Sequence, residues 1–313
     1  DERYRIIVMC DNVKNITMIQ LRNVIKDYEN IDIEFVDIRK KMHGFSESFG
    51  QTVTDRQENR LYSGEFTLTI YFRLFIAELF PELDKAVYID SDTVINDDIA
   101  KLYSVDIGDA MFGAVRDTFA GKNTILAHYI ENVVGIERNE YVNSGVLVMN
   151  LDKMRRTHLA DIFLKLMAEY HFDSVAPDQD YINAICAKDI YFLDKEWNVM
   201  PNKGGEYMAR PKLIHFNLFD KPWHYSEIPY EEYFWQYAAE SGFYPLLIKQ
   251  REQYGDSERS ADRENLKKLL ARAENIADGD SVKFSDVVGN RFVENSDFVR
   301  DSDFVRDSSD AVK

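Results

Sequence analysis

The chain is poor in cysteine, short of positive charge and without a long apolar run. Its two cysteines, Cys10 and Cys186, stand far apart in 313 residues. They make neither a disulfide framework nor a Cys-x-x-Cys motif, which fits a reducing compartment. No apolar stretch approaches the ~18 residues that a membrane-spanning helix needs. Asp1-Glu2-Arg3-Tyr4 does not read as the opening of a signal peptide. No integral membrane segment is therefore expected. Lys and Arg number 38 against 55 Asp and Glu, a net charge of −17. Nucleic-acid affinity is built mainly from Lys and Arg neutralising phosphates, so no nucleic-acid partner is expected. The same imbalance argues against a broad polybasic membrane patch.

What is present is an apolar fraction of 45%, enough for an ordinary packed globule of this length. Over the first two-thirds of the chain, strand-length apolar runs alternate with helical patterns. Arg5-Ile6-Ile7-Val8-Met9 reads as a buried strand and 16–28 as a helix, while 31–38 alternates strictly, as a half-exposed strand does. A strongly apolar helix is predicted over 67–79. Further strands are predicted at 86–89, 111–115 and 145–149. This alternation points to an α/β domain with helices on a largely parallel sheet. From Asp256 the character changes. Leu266, Leu269, Leu270 and Ala273 mark one amphipathic helix, and the hexapeptide Ser296-Asp297-Phe298-Val299-Arg300-Asp301 is repeated at once over 302–307. Two copies are too few for a solenoid. Isolated Phe-Val pairs among Asp, Ser and Arg read as a flexible acidic tail. The expected organisation is one domain over 1–254, then a helix and tail over 255–313.

Four segments carry groups suited to chemistry. In Tyr88-Ile89-Asp90-Ser91-Asp92 two carboxylates follow a buried strand directly, at the sheet edge where open α/β sheets bind ligands. They are hard oxygen ligands, suited to Mg²⁺ or Mn²⁺ holding a diphosphate; the alternative is a solvated turn. Tyr141-Val142-Asn143-Ser144-Gly145 reads as a polar turn entering a buried strand, with a glycine that permits close backbone approach. Pro177-Asp178-Gln179-Asp180 opens an apolar helix; an N-cap accounts for one Asp of the cluster but not for all of it. Leu213-Ile214-His215-Phe216 and Lys221-Pro222-Trp223-His224 place a histidine after an apolar pair and a cation beside a rigid aromatic turn. That cation is suited to clamping phosphate, although a lone histidine is more often a packed core residue. Asp-x-Asp-x-Val also fits the first motif of haloacid-dehalogenase-type phosphatases. The later Gly-Asp motif of that family has no counterpart here, since no suitably spaced Asp follows Gly108-Asp109, Gly255-Asp256 or Gly279-Asp280.

Taken in order, Tyr71-Phe72-Arg73-Leu74, the run Leu83–Asp92, Asn143-Ser144-Gly145-Val146, Asp178-Gln179-Asp180, and His215 with Lys221-Pro222-Trp223 resemble the family 8 glycosyltransferases. These are lipopolysaccharide galactosyl- and glucosyltransferases, with glycogenin a distant relative. The resemblance spans roughly residues 4–254 and implies a GT-A fold, α/β, with a mixed, mostly parallel sheet flanked by helices. It implies transfer of glucose or galactose from a UDP-hexose donor, with retention, to a saccharide or glycolipid acceptor. Asp90, Asp92 and His215 would hold Mn²⁺, or Mg²⁺ in its place. Arg73, Asn143 and Asp178 match donor-sugar contacts, Lys221 would neutralise the leaving diphosphate, and Gln179 matches the residue beside the reacting carbon. The expected location is cytoplasmic, with peripheral membrane association as the alternative.

Two departures from the family pattern stand out. The family's opening strand and its Ala-Asp-Asp-x-x-Tyr-type loop have no match, and Arg5–Met9 corresponds to the family's second strand. The alternative reading is therefore an inactive fragment serving as a binding module. Leu218-Phe219-Asp220 also stands where relatives often carry a glycine.

Overall fold

The computed structural model describes residues 2–11, 13–38, 41, 68–202 and 207–288. The repeated hexapeptide lies outside them. Strand β1 (Tyr4–Cys10) pairs in parallel with β2 (Ile31–Asp37), and helix α1 (Asn15–Ile25) connects the two. The main sheet has the order β3-β6-β5-β7, built from β3 (Lys85–Ile89), β5 (Phe112–Arg116), β6 (Val142–Asn150) and β7 (Ile190–Phe192). A small antiparallel pair joins β4 (Thr93–Ile95) to β8 (Leu213–His215).

Three strands of the main sheet point one way, and β6 runs against them between β3 and β5. The apolar run of β6 predicted a strand but not its direction. That direction matters, because it brings the beginning of β6 beside the carboxyl ends of β3 and β5: Ile89 pairs with Val146 and Arg116 with Val142. Both faces of β6 are buried. Leu147 and Met149 enter the main core with Phe163 and Phe284, while Val146 and Val148 face Leu102 and Trp197. Two-sided burial explains why the strand reads as continuously apolar rather than alternating.

Two local expectations change. The predicted helix over 67–79 is a 3₁₀ segment (Leu68–Phe75) followed by one α turn (Ile76–Leu79). The tighter winding still buries Tyr71, Phe72, Leu74 and Phe75, and it turns Arg73 inward. The Asn143-Ser144-Gly145 turn is instead the first part of β6, fully buried, with a register irregularity opposite it between Ala114 and Arg116.

The remaining helices that position the site are α2 (Thr124–Tyr129), which runs on as a π turn, α3 (Leu159–Tyr170) and α4 (Pro177–Cys186). They are followed by α5 (Glu231–Glu240), α6 (Tyr244–Gln253) and α7 (Asp256–Asp278). Helix α7 lies along α2, and Ala273, Ile276 and Ala277 of α7 are buried in the main core with Phe284. Among the described residues, no helix is long and apolar enough to cross a membrane.

Candidate active site

The edge where β3 and β5 end and β6 begins gathers the predicted residues on two adjoining sides. On the first, Asp90 leaves β3, Asp92 follows two residues later, and His215 ends β8, which pairs with β4 so that Thr93 lies opposite His215. One ligand atom from each of Asp90, Asp92 and His215 lies within 4.8 Å of the others. His215 Nε2 is 3.2 Å from Asp92 Oδ1 and 3.8 Å from Asp90 Oδ2. Gly145 is required there: a Cβ on it would sit 2.7 Å from His215 Nδ1 and 2.8 Å from Asp90 Oδ2.

A chain of side-chain amides sets the histidine tautomer. The Gly145 backbone N–H donates to Asn143 Oδ1 at 3.0 Å, and Asn198 Nδ2 donates to the same oxygen at 2.9 Å. Asn198 therefore turns its carbonyl oxygen toward His215 Nδ1, 3.2 Å away, and Nδ1 carries the proton. Nε2 presents a lone pair to two carboxylates. Three acceptors converging on one point need a cation or a proton between them, and one imidazole with two carboxylates is a donor set for a divalent metal. The fit to a divalent metal is good.

Lys221 completes this side. Its ammonium donates to Asp92 Oδ2 and to the Phe216 carbonyl. Burial by itself opposes ionisation of Asp92, but the neighbouring His215 ring and the Lys221 ammonium outweigh it and hold its carboxyl well below the usual range. Leu218, the first residue of the segment that departs from the family pattern, has φ +54° and is exposed. The left-handed backbone there is the conformation that glycine adopts without strain.

The second side is buried. Arg73 spans the two sides: its guanidinium donates to Asp90 Oδ1 at 2.9 Å and to Ser144 O at 2.6 Å, and it pairs with Asp178 Oδ2 at 3.1 Å. It also lies over the Tyr88 ring, whose hydroxyl donates to Asp90. Asp178 accepts from Ser144 Oγ at 2.8 Å. Gln179 Oε1 accepts from Asn143 Nδ2 and from the Ser144 N–H, both at 3.1 Å, while its Nε2 donates to Asp117 Oδ2 at 3.2 Å. Arg73, Asn143, Asp178 and Gln179 thus form one network with Asp117 and Ser144.

Two fully buried residues hold α4 against the start of β6. Asp180 accepts from Tyr129 at 2.7 Å, Tyr141 at 2.6 Å, Ser174 at 2.5 Å and the Ala176 N–H at 3.2 Å. Burial pushes its pKa up, and those hydrogen bonds oppose the rise. Asn183 reads the backbone of Val142 with both ends of its amide, each at 2.8 Å. This fixes the strand at the residue before Asn143.

Sequence reasoning missed Asp117, Asn198 and the latch formed by Asp180 and Asn183. Asp117 follows β5 as Asp90 follows β3, so the strand-end rule that found Asp90 would have found it as well. Asn198 carries no sequence signal: a single Asn after Trp197 gives no pattern.

The family model for glycosyl transferase family 8 matches residues 2–227. The chain belongs to that family, which sets the phosphatase reading aside. It is 30% identical to a putative glycosyltransferase of Haemophilus influenzae over 43% of this chain and 40% of the relative. It is 27% identical to the lipopolysaccharide 1,2-glucosyltransferase of Escherichia coli K12 over 50% of this chain and 49% of the relative. The chain thus spans about half the length of these relatives or less. Among solved structures, the galactosyltransferase LgtC in complex with donor and acceptor sugar analogues superposes with a TM-score of 0.56 at 19% identity, covering 83% of this chain and 90% of that one. That similarity confirms the glycosyltransferase fold expected above.

Proposed function

We propose that the chain is a retaining, Mn²⁺-dependent glycosyltransferase that moves a glucose or galactose unit from a UDP-sugar to a saccharide or glycolipid acceptor. The observation that carries the reading is the junction of the two sides. Asp90 belongs to the acidic triad with His215 and also to the Arg73–Asp178–Ser144 network. A ligand with an anionic end and a hydroxylated end fits such a junction. A divalent cation held by Asp90, Asp92 and His215 supplies Lewis-acid stabilisation of the diphosphate leaving group. Lys221 adds a fixed positive charge at the same place, where charge develops as the glycosidic bond breaks. Arg73, Asn143 and Asp178 orient the sugar hydroxyls, and the locked network means that little reorganisation is left for the transition state.

Gln179 stands beside the reacting carbon in this reading. Its carbonyl oxygen already accepts two hydrogen bonds, which makes it a poor nucleophile and favours a same-face departure and attack over a covalent glycosyl-enzyme. The names of the relatives, a glucosyltransferase and a galactosyltransferase, support a hexose donor. The test is UDP release from UDP-glucose and UDP-galactose in Mn²⁺, with the anomeric configuration of the product read by NMR. Retained configuration and dependence on Asp92 are expected; an inverted product, or full activity in Asp92→Ala, would refute the mechanism.

A second reading, a binding module without turnover, is favoured by one observation. Strands β1 and β2 form their own two-stranded sheet, apart from the four-stranded one. Mn²⁺-dependent UDP binding without release of UDP from any UDP-hexose would support it.

A further inference from the structure

Lys221 sits at the start of a tight turn. The N–H groups of His224 and Tyr225 both donate to its carbonyl oxygen, at 3.0 and 2.9 Å. This turn is gripped from outside by the last part of the described chain. Tyr225 donates its hydroxyl to Asp262 Oδ2 at 2.7 Å, and Tyr254 donates to the same oxygen at 2.7 Å. The Tyr254 ring stacks on His224, with centroids 3.9 Å apart and planes 4° from parallel. His224 and Gln250 of α6 are also within hydrogen-bond distance, at 3.2 Å. Burial and the Asp262 carboxylate push both tyrosine pKa values up, so both hydroxyls stay donors across the physiological range.

Asp262 lies on α7, which is anchored elsewhere by different contacts. Ala273, Ile276 and Ala277 are buried in the core, and His128 of α2 lies 2.9 Å from Asp278. The family match ends at residue 227, so α6, Tyr254 and α7 lie beyond the matched region. Gln250 of α6, Tyr254 and Asp262 of α7 all contact the turn that carries Lys221 or the residues that close it.

We propose that Asp262 is a positioning residue for the transfer reaction: through Tyr225 and Tyr254 it holds the Lys221–Tyr225 turn so that the Lys221 ammonium is kept at the Asp92 side of the site. The proposal rests on the reading of Lys221 as a diphosphate contact. Without the carboxylate, two phenol hydroxyls lose their shared acceptor and the turn loses its link to α7. The helix keeps its core anchor, and the metal-ligand triad, set by β3, β6 and β8, is untouched.

The test is a double-mutant cycle on UDP affinity in saturating Mn²⁺, measured by calorimetry on the full chain. Lys221→Ala is expected to weaken UDP binding about tenfold or more, as loss of a charge-assisted contact does. Asp262→Ala is expected to weaken it about fivefold, with Mn²⁺ affinity in the absence of UDP unchanged. Asp262→Asn retains an oxygen acceptor for both hydroxyls and should restore most of the affinity. Tyr225→Phe, which removes a single oxygen, should show part of the loss if Asp262→Ala fails to fold. The double variant Lys221→Ala/Asp262→Ala should bind no more weakly than Lys221→Ala alone, because Asp262 acts through the lysine. Additive losses would assign Asp262 a general structural role and overturn the proposal, as would unchanged UDP affinity in both Asp262→Ala and Tyr225→Phe. Wild-type binding of UDP that Lys221→Ala leaves intact would overturn the reading of Lys221, and this inference with it.

Discussion

The two sides of the site are built on opposite terms. On the metal side the side chains of Asp90 and Asp92 keep 25% and 23% of their surface exposed, whereas across the junction those of Arg73 and Asp178 keep 6% and 10%. The open side presents oxygen and nitrogen lone pairs that an exchangeable cation can reach and satisfy. The closed side is satisfied by the protein itself: Arg73 faces Asp178, Asn143 faces Gln179, and Asp180 takes four donors. A buried polar network of that kind is costly unless complete, and when complete it is rigid. In the proposed reaction, exchange and charge neutralisation fall to one side and orientation to the other.

Substitutions can sharpen or break that contrast. The largest effect belongs to Asp92→Ala, which should lower turnover by about 10³-fold or more by removing charge stabilisation at the leaving group. UDP release in Mn²⁺ reads it directly. Gly145→Ala should come next, since the added methyl meets His215 and Asp90. We expect Mn²⁺ affinity to fall by about 10²-fold, as when the support of a metal ligand is displaced, with the fold retained by circular dichroism. Asp180→Leu acts on the closed side alone. It should lower kcat by about 10²-fold through misplacement of Gln179 and Asp178 while leaving Mn²⁺ affinity at the wild-type value. Equal losses of metal affinity and kcat in this variant would show that the two sides are not separable.

The last effect is on stability rather than on metal or catalysis and lies away from both sides. Glu78 is pushed up to about 7 by burial, against which its own backbone hydrogen bond acts, and its Oε2 is buried with no hydrogen-bond partner among the described residues. Its folded pKa exceeds its unfolded one, so the folded state binds the extra proton between them. Stability should then fall as pH rises from about 4.5 to about 7, by up to about 3 kcal/mol, and level off above. Glu78→Gln should flatten that slope and melt higher than wild type at pH 8. Parallel melting curves across pH 5–8 would contradict the assignment.

The open side was legible in the sequence, and the closed side largely was not. Asp90 and Asp92 announce themselves because two carboxylates end an apolar strand, whereas His215, after an apolar pair, reads more readily as a packed core residue and was reached through the resemblance. Arg73, Asn143, Asp178 and Gln179 were reached through the ordered resemblance, since alone each has an ordinary structural explanation. Reading Asn143-Ser144-Gly145 as a turn failed because polar residues inside a buried strand look like a break in the pattern. They are tolerated there only because Asp178, Gln179 and Asn198 satisfy them, and those partners lie far away in the sequence. The 3₁₀ winding at Leu68–Phe75 was invisible for a related reason: helical apolar spacing does not distinguish 3₁₀ from α over two turns. The strands of the main sheet were all legible as apolar runs except the short β7, but the antiparallel course of β6, which brings the site together, was not.

In the proposed reaction, Asp90, Asp92 and His215 hold a divalent cation against a nucleoside diphosphate. Calorimetric titration of UDP into the wild-type chain and His215→Ala, each with and without Mn²⁺, tests it most directly. The account predicts Mn²⁺-dependent UDP binding in the wild type and its loss in His215→Ala. UDP affinity that is the same with and without Mn²⁺, or that His215→Ala leaves unchanged, would contradict it.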